Sequence, residues 1–220
     1  MTIRLKLVIC TLVFVIFVLT SPVSPALATR HTGDSAKPDL PLRDLLVYAS
    51  GDINAFWQQS FASRGLRYSV PLMVPYNQPI GTPCGQALMN NAFYCSASNS
   101  IYYDYNFISR IYSQVGDYAA VSIIAHEWGH LVQTQLGISN GRYFSIQMEL
   151  QADCFAGSYT KYAEATGKLE AGDLEEAGAG LFNAGDPKEM PWFAAQAHGK
   201  SMQRISAFLD GYNGRPCFSR

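Results

Sequence analysis

The sequence predicts an α+β fold in which a small, antiparallel-type sheet precedes a helical bundle. Two observations carry this. Short aromatic and β-branched runs separated by turn residues occupy the stretch before Tyr105, and helical periodicity takes over after it. No internal repeat of 20 to 50 residues is present, which sets aside solenoids and propellers. At 220 residues, 48% hydrophobic and 13% aromatic, the chain can build one medium domain and is far from a disordered composition. Sixteen Lys+Arg against 17 Asp+Glu, with no basic run, provide no surface for neutralising phosphates, so nucleic acid is not expected as a partner.

At the N-terminus, Arg4 and Lys6 precede the apolar stretch Leu7 to Leu19, which is followed by Ser21-Pro22-Val23-Ser24-Pro25 and Ala26-Leu27-Ala28. This is the order of a secretory signal peptide over residues 1–28, cleaved after Ala28. The alternative is an anchor in residues 7–19, but such a helix rises only about 20 Å against a hydrocarbon core of roughly 30 Å. A secreted or extracytoplasmic protein is expected, with membrane attachment only if this segment is retained. Cys10 leaves with the segment, and the remaining Cys84, Cys95, Cys154 and Cys217 are even in number, as an oxidising compartment favours. Of three pairings, the favoured one joins Cys84 to Cys95 around a Gly/Asn-containing loop and Cys154 to Cys217, tying a central helix to the chain end. A cysteine zinc site is disfavoured because no C-x-x-C occurs.

Residues 29–41 are polar and punctuated by Pro and Gly, a flexible leader before a domain spanning 42–220. Between Asp44 and Arg64, Leu45, Leu46, Ile53, Phe56, Trp57 and Phe61 recur near helical spacing, giving one or two helices interrupted at Gly51. Ser69 to Tyr76, Ala92 to Cys95 and Ile101 to Asp104 read as three strands, divided by Gly81-Thr82-Pro83 and Ser96-Ala97-Ser98-Asn99. Helices are then expected over Asp117 to Leu136, Tyr143 to Thr166, Ala171 to Leu181 and His198 to Asn213.

The helix beginning at Asp117 contains His126-Glu127-Trp128-Gly129-His130. The i, i+4 spacing sets both imidazoles on one face about a turn apart, where one Zn²⁺ can be reached by both. Glu127 projects beside that position, where a carboxylate can take a proton from an activated water and pass it to a leaving amine. Ile123, Ile124 and Ala125 embed the motif in an apolar helix, where unpaired polar groups are costly. Trp128 and Gly129 read as packing residues, and Tyr102, Tyr103 and Tyr105 as sheet and core residues.

A catalytic zinc needs a third ligand and an open position. From His130 the helix continues about seven residues to Gly137, turns through Ile138-Ser139-Asn140-Gly141, and returns about seven residues to Glu149; each leg is about 10 Å, so an antiparallel return brings Glu149 level with the histidines. Asp153, one turn beyond on the same face, can accept a ring N–H from a ligand histidine and set its tautomer. His198 has three readings: an oxyanion stabiliser, a third ligand in place of Glu149, or a capping or surface group.

Together, His126-Glu127-Trp128-Gly129-His130 and Glu149-Leu150-Gln151-Ala152-Asp153-Cys154-Phe155-Ala156-Gly157 resemble the bacterial neutral zinc metallopeptidase family. Phe93-Tyr94-Cys95 before Ile101-Tyr102-Tyr103-Asp104, the run Gly167 to Ala177, and His198-Gly199-Lys200-Ser201 with Arg204 extend the resemblance over Leu42 to Phe218. It implies a zincin-type metallopeptidase domain behind an export or anchor segment, with one Zn²⁺ per chain held by His126, His130 and Glu149 and with Glu127 as catalytic base. The sequence departs from the family at Trp128 and Leu131, positions that bear on packing rather than on ligands. The expected reaction is hydrolysis of a peptide bond, with a peptide or protein as substrate. The alternatives are a zinc-binding secreted module without catalysis and an amidase acting on cell-wall peptides.

Overall fold

A computed structural model describes residues 40–138, 144–191, 194 and 197–217. Residues 1–28, expected to be a signal segment, residues 29–39 of the expected leader and most of the turn before Glu149 lie outside the described residues.

The domain opens with α1 (Leu42–Ala62), which buries Leu42, Leu45, Leu46, Ala49, Ile53, Trp57 and Phe61 along one stripe. The interruption expected at Gly51 does not occur. Gly51 lies on the exposed side with open space where a β-carbon would sit, so the buried stripe runs past it and outweighs the ~1 kcal/mol propensity cost of a helical glycine.

Five strands follow: β1 (Leu72–Tyr76), β2 (Ile80–Thr82), β3 (Gly85–Ala87), β4 (Ala92–Cys95) and β5 (Ser100–Asp104). The main sheet has the order β1-β5-β4, with β4 antiparallel and β1 parallel to β5. The sheet is therefore mixed rather than antiparallel. A tight turn with Asn99 at φ 46° folds β5 back on β4, and β1 pairs on the other side of β5, where it runs parallel. The hairpin β2–β3, read from sequence as turn, is too short for a periodicity signal; the Cys84–Cys95 bond (S–S 2.03 Å) fastens it to β4. Central β5 is buried at every position.

Asp104 ends β5 and caps α2 (Tyr105–Gln114), its Oδ1 accepting the Asn106 N–H at 2.9 Å. Then come α3 (Asp117–Gln135), α4 (Ser145–Ala165), α5 (Asp173–Asn183) and α6 (Ser201–Tyr212). The last begins three residues after His198, because Gly199 takes φ 96° and Lys200 is extended, with its N–H on Gln203 Oε1. Helix α3 is the buried axis of the domain, touching α1, α2, α4, α5, β4 and β5. Its contact with α4 is close: a β-carbon at Gly129 would collide with the backbone of Ala152. Helix α6 crosses α4 equally closely through Gly157 and Gly211, and a second disulfide, Cys154–Cys217 (S–S 2.07 Å), binds the end of the chain to α4.

Candidate metal centre

On α3, His126 and His130 stand one turn apart with Nε2 atoms 3.2 Å from each other. Contacts of Gly129 with Ala152 and of Gln133 with Met148 show α4 running antiparallel to α3. That direction brings Glu149 opposite the histidines, Oε2 3.3 Å from His126 Nε2 and Oε1 3.4 Å from His130 Nε2. Ligand atoms of these three residues all lie within 4.8 Å of one another.

The other ring nitrogens are occupied. His126 Nδ1 faces Asp153 Oδ1 at 2.8 Å, and the Asp153 carboxylate, wholly buried, is gripped by Arg204 through Nε to Oδ2 (2.9 Å) and Nη2 to Oδ1 (2.8 Å). His130 Nδ1 faces Gln133 Oε1 at 2.9 Å. Both acceptors take a proton from Nδ1, so Nε2 is the nitrogen that each ring turns toward the other and toward the Glu149 carboxylate. Unprotonated, the two Nε2 lone pairs would repel, so the arrangement calls for a proton or a cation between them. Two imidazoles and one carboxylate are the donor set zinc prefers, and the site fits that ion.

Charge balance agrees. Burial disfavours a charged His126 ring, but the charge and hydrogen bond of Asp153 overcome it and push its pKa up to about 10. Burial likewise opposes protonation of His130, and the Glu149 hydrogen bond reverses the balance upward. For Glu149, burial works to raise the pKa, yet hydrogen bonds from His126, His130 and His198 hold it well below the usual carboxylate range. The pocket thus favours positive charge at its centre.

Glu127, buried on α3, points toward the sheet, where its Oε2 accepts the Tyr94 N–H of β4 at 2.9 Å. Burial raises its pKa, which makes it a better proton acceptor than a solvated glutamate. His198 stands outside the three-residue group; its Nδ1 lies 3.2 Å from Glu149 Oε2, and its side chain is 55% exposed. Asp186 Oδ2 fixes the approach by accepting the N–H groups of His198 and Gly199 at 2.7 and 2.8 Å. His126, Glu127, His130, Gln133, Glu149, His198 and Arg204 line a cleft of about 820 Å³, whose walls include Phe93 and Tyr94 of β4, Phe107 of α2, Ile123 of α3, Met148 of α4 and Leu181 of α5. Tyr102 and Tyr103 are buried in the sheet, while Tyr94, which stood out in the sequence only as part of the family resemblance, lines the cleft. Trp128 is a packing residue, its Nε1 donating to Tyr68 Oη at 2.8 Å. Gln133 carried no sequence signal, and Arg204 stood out only as part of the family resemblance.

The profile of the family described as "Putative neutral zinc metallopeptidase" matches residues 10–217. This chain belongs to that family. Among its relatives, the uncharacterized protein YpfJ of Escherichia coli (strain K12) is 32% identical over 216 residues, covering 87% of this chain and 74% of the relative. The uncharacterized protein Rv2575 of Mycobacterium tuberculosis (strain ATCC 25618 / H37Rv) is 30% identical over 215 residues, covering 84% and 71%. No solved structure matches the chain. The family implies zinc, and His126, His130 and Glu149 form a group that could hold one ion. No helix among the described residues is long and apolar enough to cross a membrane, and the two disulfides are compatible with an extracytoplasmic location.

Proposed function

We propose that this protein is an exported, zincin-type peptidase that hydrolyses peptide bonds, with one zinc per chain. The observation that carries the reading is the convergence of two histidine Nε2 atoms and the Glu149 carboxylate beside a buried glutamate that lines the same open cleft. His126, His130 and Glu149 would hold the ion. Bound Zn²⁺ supplies the Lewis acidity that polarises a carbonyl and makes water acidic near neutral pH. Glu127, anchored by the Tyr94 N–H, takes the proton of the attacking water on its carboxylate and returns it to the leaving amine. His198, at the cleft with its Nδ1 3.2 Å from Glu149 Oε2, would stabilise the negative charge that develops on the carbonyl oxygen. The partner is a peptide or protein segment lying along the cleft.

The test compares zinc-loaded protein with its Glu127→Gln variant on a proteome-derived peptide library read by mass spectrometry. Cuts by the wild type alone, with one zinc retained in both proteins, are expected. Equal cutting by the variant would refute the role of Glu127, and no cutting by either would favour a binding module or a cell-wall amide as substrate.

A further inference from the structure

His130, unlike His126, has no carboxylate behind its ring. Its Nδ1 meets the side-chain oxygen of Gln133, which is wholly buried. Gln133 Nε2 in turn donates to the Met148 carbonyl at 2.6 Å and to Gln151 Oε1 at 3.1 Å. Gln151 Nε2 donates to the Cys217 carbonyl at 2.9 Å, and Cys217 is bonded covalently to Cys154 in α4.

Each link dictates the next. A backbone carbonyl only accepts, so Gln151 must give it the NH₂ group and turn its oxygen to Gln133. Gln133 then has two acceptors for its NH₂ and must turn its oxygen to His130. That oxygen accepts the proton of His130 Nδ1, which leaves the Nε2 lone pair facing Glu149 and His126. The orientation of a ring on α3 is thus specified by two backbone carbonyls, that of Met148 directly and that of Cys217 through Gln151.

We propose that Gln133 and Gln151 are positioning residues for His130, and that the C-terminal segment held by the Cys154–Cys217 disulfide is the fixed end of this chain of amides. The proposal rests on the reading of His130 as a zinc ligand. Outer partners of metal-bound histidines typically change metal affinity by about 10- to 100-fold when removed. An amide fixed at one end by a disulfide-held carbonyl meets the geometric requirement for such a partner.

The experiment measures zinc affinity of the full, oxidised chain by competition with a chromophoric chelator, and the absorption spectrum of the Co²⁺-substituted protein. Variants are Gln133→Leu, Gln151→Leu, the pair Cys154→Ser with Cys217→Ser, and the triple variant joining Gln151→Leu to that cysteine pair. Gln133→Leu is expected to weaken zinc by about 10- to 100-fold and alter the Co²⁺ spectrum. Gln151→Leu and the cysteine pair are each expected to weaken it by about threefold or more, and the triple variant no further than the worse of the two, because links in one chain do not add. Gln151 is partly exposed, so its variant decides the matter if Gln133→Leu does not fold. Wild-type affinity and spectrum in folded Gln133→Leu or Gln151→Leu would overturn the proposal, as would losses that add fully in the triple variant. A wild-type chain that binds no zinc would instead overturn the metal-site reading itself.

Discussion

Asp153 Oδ1 lies 2.8 Å from His126 Nδ1, and the two are joined at a point where α3, α4 and α6 meet. The carboxylate has no exposure to solvent and both of its oxygens are held by Arg204. One buried ion pair therefore does two jobs: it binds α6 to α4, and it fixes which nitrogen of His126 looks into the cleft.

Asp153→Asn tests both jobs at once. It keeps the shape but removes the charge that faces both Arg204 and His126. Zinc affinity is expected to fall by about 10- to 100-fold with the fold retained. Asp153→Ala strands a buried guanidinium as well, and should cost ~3–5 kcal/mol of stability in urea unfolding.

Zinc binding should release protons and strengthen as pH rises. With the His126 pKa pushed up to about 10, the ring of the metal-free protein is charged at neutral pH and must lose its proton to ligate. The sign for stability follows from linkage. A histidine whose folded pKa is raised stabilises fully below its unfolded value of about 6.5, and that contribution is lost as pH climbs through about 10. Metal-free protein should lose stability over that window, and zinc-loaded protein should not. Calorimetry at pH 7.5 in buffers of different ionisation enthalpy reads the proton release; an enthalpy independent of buffer would contradict it.

Removing the metal should lower the melting temperature. A ligand at a hundred times its Kd adds about 2.7 kcal/mol, which corresponds to several degrees for a domain of this size. Chelation followed by re-addition of zinc, monitored by differential scanning calorimetry, checks the effect, and a melting point that stays put would count against a metal held by the folded site.

Gly129→Ala is expected to damage metal binding through packing alone. The added methyl meets the Ala152 backbone, forcing α4 away from α3 and carrying Glu149 from the histidines. Overpacking of this kind costs ~1–3 kcal/mol. The variant should show lower stability and weaker zinc binding together, whereas loss of stability with unchanged zinc affinity would show that α4 can shift without moving Glu149.

The two disulfides should differ in worth. In the chain-entropy account the bond closing 63 residues, Cys154–Cys217, contributes about 4 kcal/mol and the one closing 11 residues, Cys84–Cys95, about 3 kcal/mol. Unfolding of the two Cys→Ser pair variants orders them; the reverse order would show that strain or residual structure outweighs loop length.

What the sequence determines by itself is local. The i, i+4 spacing of His126 and His130 follows from the pitch of a helix whose apolar residues are visible in the chain, and so do the amphipathic stripe of α1 and the burial of β5. The length of the two legs around the turn before Glu149 bears on the carboxylate for the same reason, since rise per residue is constant. Weak or short signals failed for equally local reasons: Gly51 looked like a break because propensity carries no knowledge of the buried stripe, and β2 and β3 are too short to show a period. The tertiary structure alone decided the rest. Arg204 reaches Asp153 across 51 residues, and Cys217 reaches Gln151 across 66, through crossings of α6 on α4 that depend on glycines meeting backbone. The parallel pairing of β1 with β5 likewise depends on which flank of the sheet β4 leaves open. Such partners are chosen by packing in three dimensions, and neither periodicity nor spacing along the chain encodes them.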